Sequence, residues 1–162
     1  MVVNYPVVQT KDNDYYLHKD LDGNYLRSGT VFVDYRNKAV GEDQNYVIYG
    51  HDMRNDSMFG TWDNYKEQSY YDAHPVLYYL TPDGDYRIDL YIGAVVNEGD
   101  PIYQINPGEK ALEQRLEKLK EKSTFRSSVT LEPGDRVVVL STCTYEFSTA
   151  RYVLVGKLVP LN

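Results

Sequence analysis

Short apolar runs, separated by turn-forming residues, dominate the chain. They are rich in Val and Tyr and show the alternation or the continuous apolar character of β-strands. Glycine, proline and aspartate mark the breaks between them. The predicted strands cover residues 7–9, 30–35, 45–49, 76–80, 86–96, 129–131, 137–142 and 152–158, with a short apolar piece at 15–18. Short strands in this number predict a mostly antiparallel barrel or sandwich.

One segment has the periodicity of a helix. Leu112, Leu116 and Leu119 recur at helical spacing and form a single apolar stripe. The Asn-Pro pair at 106–107 suits the N-cap and the first helical position. The pattern predicts a helix over 107–122 with one docked face and one solvated, acidic face. Two shorter helical segments are predicted at 56–62 and 63–71.

The composition predicts one globular domain over residues 1–162. The hydrophobic content of 42% and the charged content of 25% are ordinary for a folded protein. The 17 tyrosines, against 4 phenylalanines, favour half-exposed sheet faces. Residues 1–6 lack the basic and apolar regions of a signal peptide. We expect an anchor or signal segment to precede them in the natural protein.

Charge and cysteine content exclude several classes of site. The formal net charge of −7 disfavours a nucleic-acid partner, because phosphate binding needs clustered Lys and Arg. The single cysteine excludes an internal disulfide and a multi-cysteine zinc site. Residues 20–23, Asp-Leu-Asp-Gly, hint at calcium, but the later oxygen ligands of a helix–loop–helix site do not follow. We therefore expect a plain turn there, and no metal or cofactor.

The lone cysteine, Cys143, lies where two predicted strands meet. A thiol attacks as its thiolate, so it needs a partner that creates or stabilises that form, and histidine is the usual one. Of His18, His51 and His74, we favour His51, because it directly follows the predicted strand 45–49. Catalytic partners are commonly distant in sequence. His74 precedes a proline and is expected to cap or pack.

Arg151 stands at the start of the last strand, after the cysteine-bearing loop. In an antiparallel pair joined by a loop, the start of one strand lies beside the end of the other. Cys143 and Arg151 can therefore face one cleft, where a guanidinium offers a planar fork of donors to an oxyanion. On spacing alone, however, a lone cysteine is more often a small buried hydrophobe. Both interpretations stay open at this point.

Several segments together resemble one enzyme family. Residues 140–143, Leu-Ser-Thr-Cys, followed by Arg151, resemble the catalytic signature of the sortases, transpeptidases that attach proteins to Gram-positive cell walls. Val139 stands where the family pattern has Thr. The segment 49–53, Tyr-Gly-His-Asp-Met, resembles the catalytic-histidine region of class B sortases in particular. Further segments similar to class B are 5–9, 12–17, 29–37 and 57–59, together with a helix between late strands.

The resemblance implies a mostly β fold, a sortase-type closed β-barrel of about eight strands, with short helices and one longer helix inserted between late strands. It also implies a triad of His51, Cys143 and Arg151. Cys143 would attack a Thr–Gly or Thr–Asn bond in the sorting signal of a secreted protein. His51 would protonate the leaving amine, and Arg151 would hold the oxyanion or the substrate backbone. A peptidoglycan amine would then resolve the thioacyl enzyme at the extracellular face of the membrane.

The resemblance further implies a substrate groove with one wall formed by 97–126, in a monomer without a cofactor. The candidate substrate-binding residues are Ser141, Thr142, Thr144, Glu146, Ile102 and Tyr103. A solvated loop carboxylate is an equally good interpretation of Glu146. Two rival functions remain open from the residues. One is a hydrolytic cysteine peptidase, and the other is a non-catalytic, Tyr-rich β-barrel that binds wall polymer or peptide.

Overall fold

A curled, seven-stranded sheet is the framework of the protein. The computed structural model describes residues 3–143 and 149–161. The strands are β1 (Val7–Val8), β2 (Val31–Val33), β3 (Asn45–His51), β4 (Val76–Thr81), β5 (Gly84–Asn97), β6 (Val137–Cys143) and β7 (Ala150–Pro160). Their order across the sheet is β1-β2-β3-β6-β7-β5-β4. The β1–β2 and β3–β6 pairs are parallel, and the other neighbouring pairs are antiparallel.

The sheet is a half-barrel of seven strands. The closed barrel of about eight strands, which the resemblance implied, is therefore wrong. In the described part of the chain, β1 and β4 are the two edges of the sheet and do not pair. β1 has only two residues, which is too short for a closing ladder. The predicted strand 129–131 is an irregular connection. Residues from 3–7 and from 76–80 instead line an open cavity of about 720 Å³.

Two α-helices and three 3₁₀ helices accompany the sheet. They are α1 (Gln68–Ala73), α2 (Glu109–Glu121) and the 3₁₀ helices Tyr15–Leu17, Gly60–Lys66 and Pro101–Tyr103. α2 lies between β5 and β6 with its three leucines buried, so the predicted inserted helix is confirmed. It begins later than predicted, because the Asn106 side chain bonds Gln44 and Asp43 instead of capping the helix. No described helix has both the length and the apolar character needed to cross a membrane.

Strands β3 and β6 form the buried centre of the sheet. Val47 and Val139 pack with the leucines of α2 on one face. Ile48 and Leu140 pack with Trp62 on the other face. Because both faces are covered, these strands are nearly continuous apolar runs. Burial of each such side chain contributes about 1.5–3 kcal/mol, so this pair of strands is a major source of stability.

β3 continues past the end that the sequence pattern predicts. Gly50 indicates a stop, but the strand runs on through His51, because β6 extends the parallel ladder to Cys143. A Cβ atom on residue 50 would lie 2.7 Å from the Phe59 ring. Glycine therefore allows that ring to pack directly on the strand. As a result, His51 is fixed by the sheet and does not lie in a loop.

The turn predicted at 20–23 is confirmed. The Asp20 carboxylate accepts hydrogen bonds from the backbone N–H groups of Asp22 and Asn24, both at 2.9 Å. Gly23 has a φ of 84°, in the left-handed region that favours glycine. This aspartate therefore has a local structural role in the turn.

Gly60 provides a test of the packing between the 3₁₀ helix Gly60–Lys66 and the residues that follow β3. A Cβ atom at this position would overlap the carbonyl oxygen of Met53, so Gly60→Ala forces the backbone apart. We expect the variant to lower the free energy of unfolding by about 1–3 kcal/mol, measured by urea denaturation. Gly99→Ala is the matched control, since a Cβ atom there has no neighbour within 4 Å. Equal stability of the two variants would contradict this packing.

Candidate active site

The parallel pair β3–β6 brings the two predicted reacting residues together at the C-terminal ends of these neighbouring strands. Its ladder runs without interruption from the Asn45–Val137 pair to the His51–Cys143 pair. Hydrogen-bonded strands lie roughly 4.8 Å apart, so the backbones of His51 and Cys143 are direct neighbours. The structure therefore joins two positions that are far apart along the chain.

The third predicted residue lies on the next strand. β6 and β7 are antiparallel and in register up to the Ser141–Val153 pair. Within the described residues the pairing ends there, two residues before Cys143 on β6, while Arg151 lies near the start of β7 and pairs with Val96 of β5. His51, Cys143 and Arg151 thus lie on three adjacent strands, and Arg151 is two residues from the last β6–β7 pair.

Part of the predicted site lies outside the described residues. This applies to the side chain of Cys143 and to residues 144–148. The roles suggested for Thr144 and Glu146 fall in that segment and stay predictions.

The main chain holds the ring of His51. The side chain is buried, and its Nε2 lies 2.6 Å from the carbonyl oxygen of Leu17. Because a carbonyl oxygen only accepts, Nε2–H donates this hydrogen bond. Sequence reasoning missed this partner, since a backbone acceptor leaves no residue-type signal.

The two other histidines lie in different surroundings. The ring of His18 is 6.0 Å from that of His51 and 6.0 Å from that of Tyr25. His74 is exposed at the end of α1, with its Nδ1 3.1 Å from the carbonyl oxygen of Tyr70. The structure thus agrees with the capping role expected for His74. Sequence reasoning missed the contact between His18 and His51.

Arg151 contacts a carboxylate that the sequence did not reveal. Its Nη2 lies 3.3 Å from Oε2 of Glu98, and its Nη1 donates to the carbonyl oxygen of Ala150 at 3.0 Å. The Arg151 side chain is 16% exposed and that of Glu98 is 60% exposed. Ion pairs with an exposed partner contribute little to stability, so a substrate oxygen can compete with Glu98 for the guanidinium.

A cavity of about 570 Å³ borders Arg151. Its wall includes Tyr49, Tyr103 and Ser141. The Tyr103 hydroxyl and the Ser141 Oγ are 2.7 Å apart, and the rings of Tyr49 and Tyr103 stack with centroids 6.2 Å apart. Two of the predicted substrate-binding residues, Tyr103 and Ser141, therefore meet on this wall.

Two other predicted contact residues lie behind the wall. Ile102 is completely buried in the cluster that contains the α2 leucines. The Thr142 hydroxyl donates to the Tyr152 carbonyl oxygen at 3.2 Å, and the Tyr152 N–H donates back to it at 3.1 Å. Neither residue borders the cavity, so both support the wall from inside the protein.

A buried carboxylate anchors the same wall, and no sequence pattern indicated it. Asp34 follows β2, is completely buried, and accepts hydrogen bonds from Arg36, Asn13 and the Tyr49 hydroxyl. Burial alone would raise the pKa of the Asp34 carboxyl. The hydrogen bonds and charge of Arg36, with the Tyr49 hydroxyl, outweigh that effect and hold the pKa below its ordinary value.

Comparisons with known proteins agree with this geometry. Residues 1–159 match the family model of the sortase domain. Sortase B of Listeria monocytogenes is 36% identical over 162 residues, which cover 97% of this chain and 65% of that protein. The chain thus spans a little under two thirds of that relative's length.

Solved structures superpose closely on the chain. A Staphylococcus aureus sortase B–substrate complex has a TM-score of 0.93 at 30% identity, over 98% of this chain and 75% of that one. A sortase B complexed with triglycine has a TM-score of 0.90 at 29% identity, over 98% and 76% of the two chains.

The lowered pKa of Asp34 predicts a pH-dependent contribution to stability. A carboxyl with a depressed folded-state pKa stabilises the fold above its unfolded pKa, about 3.9, and this contribution is lost as the pH falls through the lower folded value. We therefore expect Asp34→Asn to be less stable than wild type at pH 7, with a gap that narrows towards about pH 3. Urea denaturation across this pH range measures it.

The exposed turn residue Asp83 supplies the control for this experiment. Asp83→Asn should follow the wild-type stability curve at every pH. A gap between wild type and Asp34→Asn that stayed constant from pH 7 to about pH 3 would show that the Asp34 carboxylate carries no such linkage.

Proposed function

Because the chain belongs to the sortase family, with class B sortases among its relatives, we propose that it is a cysteine transpeptidase acting on the sorting signal of a secreted protein. The observation that carries this proposal is the strand register. It pairs His51 with Cys143 on neighbouring strands, and the adjacent strand β7 carries Arg151 two residues from its last pair with β6, which supports the proposed triad. A thiol, a proton carrier and a fixed cation are the groups that acyl transfer through a thioester requires.

In the proposed first step, the Cys143 thiolate attacks the threonine carbonyl carbon of a Thr–Gly or Thr–Asn bond. An Sγ–C bond forms, the C–N bond breaks, and the leaving amine takes a proton from the His51 imidazolium. The hydrogen bond from Nε2 to the Leu17 carbonyl supports this role, because it orients the ring and leaves Nδ1 to transfer the proton.

Arg151 is proposed to hold the developing oxyanion or the neighbouring peptide carbonyl. Its guanidinium is charged at any working pH and presents several N–H donors in one plane. The weak pair with Glu98 supports the role, since that partner is solvent-exposed and can give way to a substrate oxygen. A backbone N–H near Thr144 is proposed as a second donor.

In the proposed second step, an amine attacks the thioester. A C–N bond forms, the Sγ–C bond breaks, and the proton lost by the amine returns to His51, which restores the starting enzyme. A cell-wall cross-bridge amine is the proposed acceptor, and the complex of a sortase B relative with triglycine supports a peptide amine. We propose the outer face of the cell membrane as the place of reaction, since secreted proteins and wall amines meet there.

The cavity beside Arg151 is proposed to take the sorting peptide. Its wall joins Tyr103 and Ser141, and Ser141 precedes Cys143 by two residues on β6. The substrate complex of a sortase B relative supports binding of a peptide-like ligand by this fold. Thr144 and Glu146 are proposed as further contacts from the loop that follows Cys143.

Cys143→Ala tests the nucleophile. Wild-type protein, incubated with a panel of sorting pentapeptides, should gain one acyl adduct in intact-mass spectrometry, located at Cys143 by peptide mapping. The variant should keep the wild-type circular dichroism spectrum and form no adduct, since Cys143 is the only thiol in the chain. Cleavage of a sorting peptide by the variant at the wild-type rate would refute the mechanism.

Added triglycine distinguishes transfer from hydrolysis. A transpeptidase should yield ligated peptide in proportion to the amine, with free acid as the minor product. Free acid alone, at every triglycine concentration, would instead identify a hydrolytic cysteine peptidase.

Arg151→Lys tests the requirement for a fork of donors. We expect kcat/KM for peptide transfer to fall by about 10²–10³-fold, the usual effect of losing one oxyanion donor, because an ammonium cannot reproduce the guanidinium geometry. Arg136→Lys is the matched control, as Arg136 lies away from this edge and donates to the Gly41 carbonyl. Wild-type activity in Arg151→Lys would exclude the proposed role.

A further inference from the structure

The turn that follows β3 holds the main chain of His51 at the end of the strand. In the described part of the chain, β2 pairs with β3 as far as Tyr49, two residues short of His51. Beyond that point, the carbonyl oxygen of His51 accepts a hydrogen bond from the backbone N–H of Phe59 at 2.8 Å. Residues 52–58 therefore form a turn that brings the chain back to the strand. The position of the His51 backbone depends on the shape of this turn.

The backbone of the turn 52–58 has an uncommon conformation at two residues. Asp56 has a φ of 62° and Met58 has a φ of 53°, in the left-handed region that residues other than glycine rarely adopt. Such conformations persist only where the surrounding contacts outweigh their cost. One of these contacts lies within the turn, where the Asp56 N–H donates to the Met53 carbonyl oxygen at 3.0 Å.

A tyrosine from the N-terminal segment supplies a second contact. The Tyr5 hydroxyl accepts a hydrogen bond at 3.0 Å from the backbone N–H of Met58, which is 53 positions away in the sequence. The ring of Tyr5 packs against the apolar cluster that contains Phe59 and Trp62. Because the bonded N–H group is partly buried, loss of the hydroxyl would leave a donor without its partner and destabilise the turn.

We propose that Tyr5 is a positioning residue for the reaction and that it acts on His51 through the turn 52–58. The connection consists of two hydrogen bonds made by successive backbone N–H groups. Met58 donates to the Tyr5 hydroxyl, and Phe59 donates to the His51 carbonyl oxygen. This assignment rests on the proposed function. It adds to that function a residue from the N-terminal segment, which the sequence analysis did not connect with catalysis.

Tyr5 lies in a different region from the cavity proposed to take the peptide. It lines the open cavity of about 720 Å³, whereas the cavity of about 570 Å³ borders Arg151 and does not include Tyr5. A change at Tyr5 should therefore alter the placement of the imidazole and leave peptide binding in place. In kinetic terms, kcat and kcat/KM should fall together while KM stays nearly constant.

Tyr5→Phe tests the assignment, because it removes the hydroxyl and keeps the ring. With triglycine and the most active pentapeptide of the panel, we expect kcat to fall roughly 10-fold, since a misplacement of about 1 Å can cost up to about 10²-fold in rate. KM should stay within about twofold of wild type. The Phe59 amide proton should exchange with solvent roughly 10-fold faster, because the turn that carries it opens more often.

NMR of the histidine rings measures the effect on His51 directly. The chain has three histidines, so the ring nitrogen signals can be assigned one by one with His→Gln variants. Tyr5→Phe should shift the signals of His51 and leave those of His74 unchanged. A general loss of stability would not produce this selective shift in the folded protein.

Tyr65→Phe is the matched control. The Tyr65 hydroxyl also bonds a main-chain group, since it donates to the carbonyl oxygen of His74 at 2.9 Å. This variant should shift the ring signals of His74 and keep the wild-type kcat, Phe59 amide exchange and His51 signals. If Tyr5→Phe does not fold, Tyr5→Trp takes its place, because an indole keeps an aromatic ring but only donates hydrogen bonds.

The outcomes separate this inference from the proposed function. An unchanged kcat or an unchanged Phe59 exchange rate in Tyr5→Phe, or equal losses in Tyr65→Phe, would overturn the role of Tyr5 and leave the transpeptidase intact. Absence of any thioacyl adduct with wild type would refute the proposed function. The exchange and NMR measurements need no turnover, so a shift of the His51 signals confined to Tyr5→Phe would still support the connection from Tyr5 to His51.

Discussion

The in-register parallel pairing of β3 and β6 is the constraint on which the rest of the structure depends. Parallel neighbours cannot be joined by a tight turn, so the whole segment 52–136 forms a crossover between them. That crossover contains β4, β5 and both α-helices. The parallel pairing that brings His51 beside Cys143 thus requires this long segment. The same segment covers both faces of the sheet with apolar side chains and supplies one wall of the cavity.

Polar side chains from β3 and from the segment after β2 hold the cavity wall in place. The Asn45 amide, at the start of β3, donates to the carbonyl oxygens of Ile102 at 2.6 Å and Gln104 at 3.0 Å. Arg36, three residues after β2, makes a comparable bond to the Tyr103 carbonyl oxygen. Three successive residues of the 3₁₀ segment and its end are thus held through main-chain oxygens. The wall keeps its position through hydrogen bonds that do not depend on which side chains it carries.

The sequence was sufficient for the elements but not for their pairing. The apolar runs that become β3, β6 and β7 are visible because their side chains are buried, and the leucine stripe marks α2 because only one face docks. The run 129–131 has the same local character, but it lacks a ladder partner in the described part of the chain. Pairing is a long-range property, and a short apolar run does not reveal whether a neighbouring strand exists.

The candidate site, too, was only partly predictable from the sequence. Cys143, His51 and Arg151 could be proposed because their chemistry is tied to residue type and to strand ends. Asp34 could not, since an aspartate after a short strand is indistinguishable from a turn former until its burial is known.

The use of a main-chain acceptor changes where the catalytic machinery is vulnerable to mutation. No substitution at position 17 can remove the carbonyl oxygen that orients His51, so the hydrogen bond does not require a particular side chain there. The hydrogen bond instead requires glycine at position 29. Gly29 has a φ of 60°, and a Cβ atom there would overlap the same carbonyl oxygen. The orientation of the His51 imidazole therefore depends on a loop glycine that has no reactive group of its own.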